Sequence, residues 1–124
     1  MKFSIITPNH NGAKYIEGCI KSVLSQNVDF EHIIIDDIST DSSLEILKKY
    51  PHLKIISESD NGMYEAINKG LLVSKGDFIS YLNIDDRYAD GALARVASEF
   101  DNDENLDYVY GDCRLIDNFN KKLY

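Results

Sequence analysis

The chain has 124 residues, a net charge of −8 and 44% hydrophobic residues, a composition typical of one globular domain. A surface this acidic argues against a duplex nucleic acid partner and against binding to anionic lipid through a basic patch. Two cysteines are too few for a disulfide scaffold or a cysteine-rich zinc site. The composition instead suits a protein that holds anionic ligands through metal ions and backbone N–H groups.

The first half of the chain alternates short apolar runs, which predict strands, with helical spacings of apolar side chains, which predict helices. The predicted elements are, in order, a strand at 3–7 stopped by Pro8, a helix at 13–26, a strand at 32–35, a helix opened by the capping box at 42–45 and ended by Pro51, and a strand at 53–57.

The second half continues the same alternation. It predicts a helix around the apolar stripe at 63–71, a strand at 77–83, a helix with Asp90 as its N-cap, a strand at 108–111, and a hairpin in 114–124 that turns around 118–121. Strands that alternate with helices through short loops form βαβ units. The sequence therefore predicts an α/β fold with a mainly parallel sheet flanked by helices.

No stretch of the sequence approaches the ~18 consecutive apolar residues of a membrane helix, and the apolar run after Met1 is too short for a secretory signal. We therefore expect a cytoplasmic protein, with peripheral attachment to the inner face of the membrane as the alternative.

Polar residues follow the predicted strands at the end of the sheet where ligands of open parallel sheets bind. They are Thr7 after the first strand, Asp36 and Asp37 after the second, and Asn83, Asp85 and Asp86 after the fourth. Neither G-x-G-x-x-G nor a P-loop motif follows the first strand. Carboxylates repel phosphate unless a divalent cation lies between them, so this pattern predicts Mg²⁺ or Mn²⁺.

Each acidic pair also has a structural explanation. For Asp36 and Asp37, a helix cap or a turn is about as good an explanation as ligand binding. For Asp85 and Asp86 that explanation is weaker because the next helix opens near Asp90, and we favour a ligand role. The histidines show no metal-ligand spacing, and we expect solvated or strand-edge positions for all three: His10, His32 and His52.

Several segments together resemble bacterial family 2 glycosyltransferases, which have the GT-A fold. These segments are FSIITPNHNG at 3–12, IKSVLSQ at 20–26, IIIDDISTD at 33–41, SESDNGMYEAINKG at 57–70 and SKGDFISYLNIDD at 74–86. The last one is similar to the strand that leads into the family's DXD motif. The resemblance covers nearly the whole chain in the family's order.

The resemblance implies inverting transfer of a sugar from a UDP- or GDP-sugar to the hydroxyl of a glycan or lipid-linked acceptor, in bacterial polysaccharide or glycan biosynthesis. It further implies that Thr7 and Asp37 contact the base and ribose, that Asp85 lies near the ribose, and that Asn68 lies along the donor pocket. Asp86 would hold Mg²⁺ or Mn²⁺ on the diphosphate.

The chain departs from the family pattern in two residues and in length. Ile38 stands where glycine or asparagine is usual, which predicts a changed turn, and Asn83 stands at the first DXD position. Family members are longer, so we expect residues 1–124 to be a single, truncated GT-A domain that comprises the donor-binding half. We then expect little transfer by this chain alone, and a homodimer through its uncovered sheet edge.

The catalytic base stays unassigned, since Asp112 is available but better explained as a structural residue at a sheet end.

Three alternatives to a glycosyltransferase remain open at this stage. A GT-A-like nucleotidyltransferase would carry a loop rich in glycine, arginine and lysine after the first strand. A receiver domain would end its third strand in the phosphorylated aspartate, where this chain has Ser57. The third alternative is a module that binds a nucleotide sugar without catalysis.

Overall fold

A computed structural model of the chain, which describes residues 2–119 and 121–123, confirms the alternation of strands and helices. The elements are β1 (Lys2–Asn9), α1 (Ala13–Leu24), β2 (Asp29–Asp36), α2 (Ser43–Leu47), β3 (Leu53–Ser57), α3 (Met63–Val73), β4 (Phe78–Tyr81) and α4 (Ala92–Asn102). The four strands form one parallel sheet in the order β3-β2-β1-β4. The predicted α/β class with a parallel sheet is confirmed.

The two central strands are buried on both faces because helices cover the sheet from both sides. Ile33 and Ile35 of β2 pack with Ile6 of β1 against α3, while Ile34 points the other way, toward α1 and α2. A Cβ atom at Gly70 would lie 2.4 Å from the Ile6 side chain, so α3 approaches the sheet closely only because it carries glycine there. Burial on both faces explains why these strands read as continuous apolar runs.

Strand β1 continues through Pro8 instead of stopping before it. The Ile6 carbonyl accepts a hydrogen bond from the Leu82 N–H at 2.9 Å, on the β4 side of the strand. Pro8 lies two residues further and faces the same side, beyond the end of the β1–β4 pairing, so its missing N–H breaks no ladder bond. The Asn9 carbonyl faces β2 and accepts from Asp37 N–H at 2.9 Å. Because β1 continues to Asn9, the loop after it begins at the carboxyl edge of the sheet.

Helix α2 begins after Ser42 as predicted, but without the predicted capping hydrogen bond, and helix α4 begins one residue later than predicted. The Ser42 side chain makes no capping hydrogen bond, and the Asp41 carboxylate instead accepts from Ser43 N–H at 2.9 Å. Helix α4 begins after Gly91, whose φ of 72° is left-handed, and Asp90 is not its cap. Glycine adopts that backbone conformation without strain, and this accounts for the shift of the start.

The C-terminal prediction is confirmed only in part. Residues 108–111 form no strand, whereas Ile116 and Lys122 form an isolated antiparallel bridge around the predicted turn. Two residues of the predicted hairpin, Asn120 and Tyr124, lie outside the described residues. Within the part of the chain that the structure describes, no helix combines the length and apolar character needed to cross a bilayer.

Candidate functional site

A cleft of about 460 Å³ opens at the carboxyl ends of the four strands. Its lining comes from the end of β1 and the loop after it, from the loops after the other three strands, and from α1 and α3. These residues are 8–12, Tyr15, Asp37, Asp60, Gly62, Met63, Ala66 and 83–85. The strand order reverses next to β1, because β2 and β3 lie on one side of it and β4 on the other. Ligands of open parallel sheets bind at such reversal points, so this cleft is the candidate site.

The two adjacent carboxylates after β2 lie in different surroundings. Asp36 is fully buried, and its carboxylate accepts hydrogen bonds from Asn9, Ser39 and Ser57. Burial works to raise the pKa of Asp36, but these hydrogen bonds, led by those from Ser39, hold that pKa below its ordinary value. Asp37 lines the cleft. Asp36 therefore has the structural role in the turn, and Asp37 is the member of the pair that faces the cleft.

Asp37 is held at the cleft wall from two sides. Its Oδ1 accepts a hydrogen bond from the backbone N–H of Asp60 at 3.1 Å, so the loop after β3 fixes this carboxylate. The His10 ring lies on the other side, with Nδ1 3.0 Å from the Asp37 carbonyl oxygen and 3.6 Å from Oδ2. A carbonyl oxygen only accepts, so the Nδ1–H of His10 is the donor in this bond.

The loops after β1 and β2 each contain a non-glycine residue with left-handed backbone. These residues are Asn11, with φ of 53°, and Ile38, with φ of 42°. Asparagine adopts this conformation readily, whereas a β-branched side chain is strained in it. The turn after β2 therefore has a backbone conformation suited to glycine or asparagine, and Ile38, which is 56% exposed, occupies it under strain.

The carboxylates after β4 are less enclosed. Asp85 lines the cleft, and Asp86 is exposed beside it, in a turn closed by the bond from Asp86 N–H to the Asn83 carbonyl at 3.0 Å. Local desolvation and then repulsion from the Asp85 carboxylate raise the pKa of Asp86. The pair is a site of excess negative charge, which a cation would relieve.

Thr7 is not among the residues that line the cleft. Its side chain is fully buried, with Oγ1 2.8 Å from Nε2 of His32. Burial lowers the pKa of His32 to about 3, so this histidine is neutral. The expected strand-edge or solvated position of His32 is wrong, because β2 lies between β1 and β3.

Asn68 is exposed on α3 and does not line the cleft. Its neighbour Lys69 contacts the loop after β3: Nζ donates to the Ser59 carbonyl at 2.8 Å and pairs with the Glu58 carboxylate at 3.2 Å. Lys69 thus ties α3 to the loop that carries Asp60.

The structure brings Asp37 and Asp85 into one cleft and adds two residues that the sequence interpretation missed, His10 and Asp60. His10 was set aside for lack of metal-ligand spacing, although it follows β1 directly. Asp60 stands in the Asp-Asn-Gly turn after β3. It therefore follows its strand as the candidate residues Asp37 and Asp85 follow β2 and β4. The place of a residue after a strand was the signal that could have found both.

No lysine or arginine is among the described residues that line the cleft. Among those residues no three acidic, histidine or cysteine side chains converge into a preformed metal cluster. A Mg²⁺ or Mn²⁺ ion held by one or two carboxylates fits this arrangement, because the ligand's phosphate and water supply its remaining oxygens. The cleft is thus suited to an anionic ligand that arrives with a cation.

Comparison with known proteins agrees with this geometry. The family model described as Glycosyl transferase family 2 matches residues 4–122. A PGL/p-HBAD biosynthesis glycosyltransferase of Mycobacterium bovis is 37% identical over 117 residues, which cover 89% of this chain and 46% of that protein. The chondroitin synthase of Escherichia coli is 36% identical over 119 residues, which cover 92% of this chain and 17% of that protein.

Solved structures confirm the GT-A fold. The crystal structure of Staphylococcus aureus TarS 1–349 superposes with a TM-score of 0.77 and 32% identity, covering 82% of this chain and 33% of that one. A mannosyltransferase from Pyrobaculum calidifontis superposes with a TM-score of 0.72 at 22% identity, over 79% of this chain and 32% of that one. The chain spans about half the length of the mycobacterial relatives it matches.

Proposed function

Since this chain belongs to glycosyl transferase family 2, we propose that its cleft binds the nucleoside diphosphate part of a nucleotide-sugar donor together with Mg²⁺ or Mn²⁺. The observation that carries this proposal is a cleft at the strand reversal point that is lined by carboxylates and, among its described residues, by no lysine or arginine. The carboxylates of such a cleft repel a bare diphosphate, and a divalent cation between the two removes this repulsion.

In this proposal the nucleoside lies against the β1–β2 side of the cleft. The Asp37 carboxylate accepts hydrogen bonds from ribose hydroxyls or from base N–H groups. The bond from Asp60 N–H already fixes its orientation for this contact. His10 lies beside it and lines the same wall. The TarS fragment that this chain resembles at 31% identity has been solved with UDP-GlcNAc, which supports a uridine nucleotide as the first donor to test.

The diphosphate and its metal ion lie on the β4 side. Asp86 would hold the ion and Asp85 would lie near the ribose. Desolvation and then repulsion from Asp85 raise the pKa of Asp86, and a bound cation would offset that repulsion. The ion would neutralise charge on the diphosphate leaving group. Asp37 and Asp85, which line the cleft, would orient the donor.

For the whole protein we propose inverting transfer of the sugar to the hydroxyl of a glycan or lipid-linked acceptor. Its support is the family and the relatives, among them a chondroitin synthase and a hyaluronan synthase, whose names place them in glycan biosynthesis. Asp112 is exposed and is not part of the cleft lining, so we do not assign it as the base that deprotonates the acceptor.

Titration calorimetry of the chain with UDP and with GDP tests the donor proposal. We expect binding of at least one nucleotide in Mn²⁺ or Mg²⁺ and a large loss of affinity in EDTA, while uridine or guanosine alone binds weakly under both conditions. Equal affinity for the diphosphate in EDTA would exclude the metal role. No binding of either nucleotide in the presence of metal would contradict the proposal as a whole.

A further inference from the structure

The buried carboxylate of Asp36 connects three strand ends. Its Oδ1 accepts from Asn9 Nδ2 at 2.8 Å and from Ser39 Oγ at 2.5 Å, and its Oδ2 accepts from Ser39 N–H at 3.0 Å and from Ser57 Oγ at 2.8 Å. We call these four residues the Asp36 cluster. Asn9 ends β1, Ser57 ends β3, and Ser39 lies in the loop after β2.

Two members of the Asp36 cluster extend the network into the loop after β1. Asn9 Oδ1 accepts from Gly12 N–H at 3.1 Å, and Ser39 Oγ accepts from Asn11 N–H at 2.9 Å. Asn11 also bonds back to the loop after β2, because its Oδ1 accepts a hydrogen bond from Thr40 N–H at 2.8 Å. The loops after β1 and β2, which carry His10 and Asp37, are thereby tied to each other through Asp36.

We propose that Asp36 is a positioning residue: it holds the loops after β1 and β2 in the geometry in which the cleft receives its ligand, without touching the ligand itself. This inference rests on the proposed function only for the identity of the ligand. Asp36 is fully buried, and all its hydrogen-bond partners are donors, so it acts through its neighbours.

The chemistry of the cluster distinguishes a carboxylate from an amide of the same shape. In Asp36→Asn, an amide at the position of Oδ1 faces the Asn9 amide, and an amide at the position of Oδ2 faces Ser39 N–H. Either orientation sets a donor against a donor. Asn9 cannot turn to compensate, because its own oxygen is occupied by Gly12 N–H.

This donor conflict suggests a rescue. Adding Asn9→Asp to Asp36→Asn restores an acceptor opposite the new amide and keeps the net charge of the cluster. Ser57→Ala is the matched control. It removes one donor to the same carboxylate, but that donor lies in β3 and not in the loops after β1 and β2.

The experiment measures amide hydrogen exchange in the loops after β1 and β2, thermal melting, and the dissociation constant for UDP with Mn²⁺. For Asp36→Asn we expect about tenfold faster exchange at Asn11, Gly12 and Thr40, and roughly tenfold weaker UDP binding. The double variant should recover most of both losses. Ser57→Ala should lower the melting temperature yet leave exchange in the cleft loops and UDP affinity within about twofold.

Each result decides the inference. Unchanged exchange in Asp36→Asn, or a Ser57→Ala variant that loses as much affinity at a similar melting temperature, would overturn it and leave Asp36 a residue of general stability. If the parent chain binds no nucleotide, the proposed function fails, and the exchange rates still decide whether Asp36 holds the loops. Should Asp36→Asn not fold, Ser39→Ala retains the carboxylate but loses the link to Asn11, and we expect faster exchange at Asn11 with about threefold weaker binding.

Discussion

The loops after β1 and β2 differ from the loop after β4 in how their carboxylates are held. Asp36 accepts four hydrogen bonds, which lower its pKa against the effect of burial. Asp86 has the opposite shift, because desolvation and the neighbouring Asp85 raise its pKa. On the β1–β2 side the buried carboxylate is therefore fully hydrogen-bonded without a ligand. On the β4 side the repulsion between Asp85 and Asp86 is unrelieved.

This difference matches the two parts of the proposed ligand. A nucleoside is neutral and is recognised by groups already fixed in place, as Asp37 is by Asp60 N–H. A diphosphate brings its own cation, which relieves the repulsion between Asp85 and Asp86 when it binds. Substitutions on the two sides should therefore fail in different ways.

The largest effect is expected on the β4 side. Asp86→Ala should weaken UDP binding in Mn²⁺ on the order of 100-fold, because the diphosphate loses its link to the protein, and uridine binding should not change. Calorimetry with both ligands measures this difference. Asp90→Ala removes an exposed carboxylate from the same loop and serves as the control, with affinity equal to that of the parent. A uridine affinity that fell together with that of UDP would remove the distinction between the two sides.

On the β1–β2 side the effect should be smaller and independent of metal. Asp37→Ala should weaken uridine and UDP alike by about tenfold, since a hydrogen bond to a charged group contributes about 1.5 kcal/mol. The same ratio is expected in Mn²⁺ and in EDTA for uridine. If only UDP were affected, Asp37 would belong with Asp85 and Asp86 on the metal side.

The strained turn on this side offers a stabilising change. Ile38→Asn should raise the free energy of unfolding by about 1 kcal/mol, because asparagine adopts the left-handed backbone that Ile38 occupies with φ of 42°. Urea unfolding with an unchanged m-value measures the gain. Ile38→Val keeps a β-branched side chain and should show no gain. Equal stability of both variants and the parent would mean that the turn is unstrained.

The smallest effect distinguishes the two carboxylates by pH. A raised pKa means that ionised Asp86 destabilises the folded chain, so Asp86→Asn in metal-free buffer should raise stability at pH 7 by a few tenths of a kcal/mol. The gain should shrink as the pH falls through the raised pKa and vanish below the unfolded value of about 3.9. For Asp36 the sign is reversed: its lowered pKa contributes stability above that value, which is lost as the pH falls through the folded pKa. Stability profiles of the parent, Asp86→Asn and Asp36→Asn between pH 3 and pH 7 would separate the two residues.

Much of this site could be read from the sequence because strand ends are local features. The apolar run that ends at Ile35 and the turn residues after it place two carboxylates at the edge of the sheet without any tertiary information. The resemblance implied a contact with the ligand for Thr7, which is buried and outside the cleft lining, and the spacing of the histidines indicated no ligand role for His10, which lines the cleft. Residue type was a weaker guide than position after a strand.

The sequence by itself determined the α/β class, the parallel sheet and the presence of carboxylates at its ligand-binding edge, because periodicity and turn residues act over a few neighbours. Only the tertiary structure decided which member of each acidic pair lines the cleft. Asp36 and Asp37 are identical and adjacent in sequence, and their separation depends on side-chain direction where β2 leaves the sheet. The donors that surround Asp36 come from β1, from β3 and from the loop after β2, so they meet only when the strands are in register.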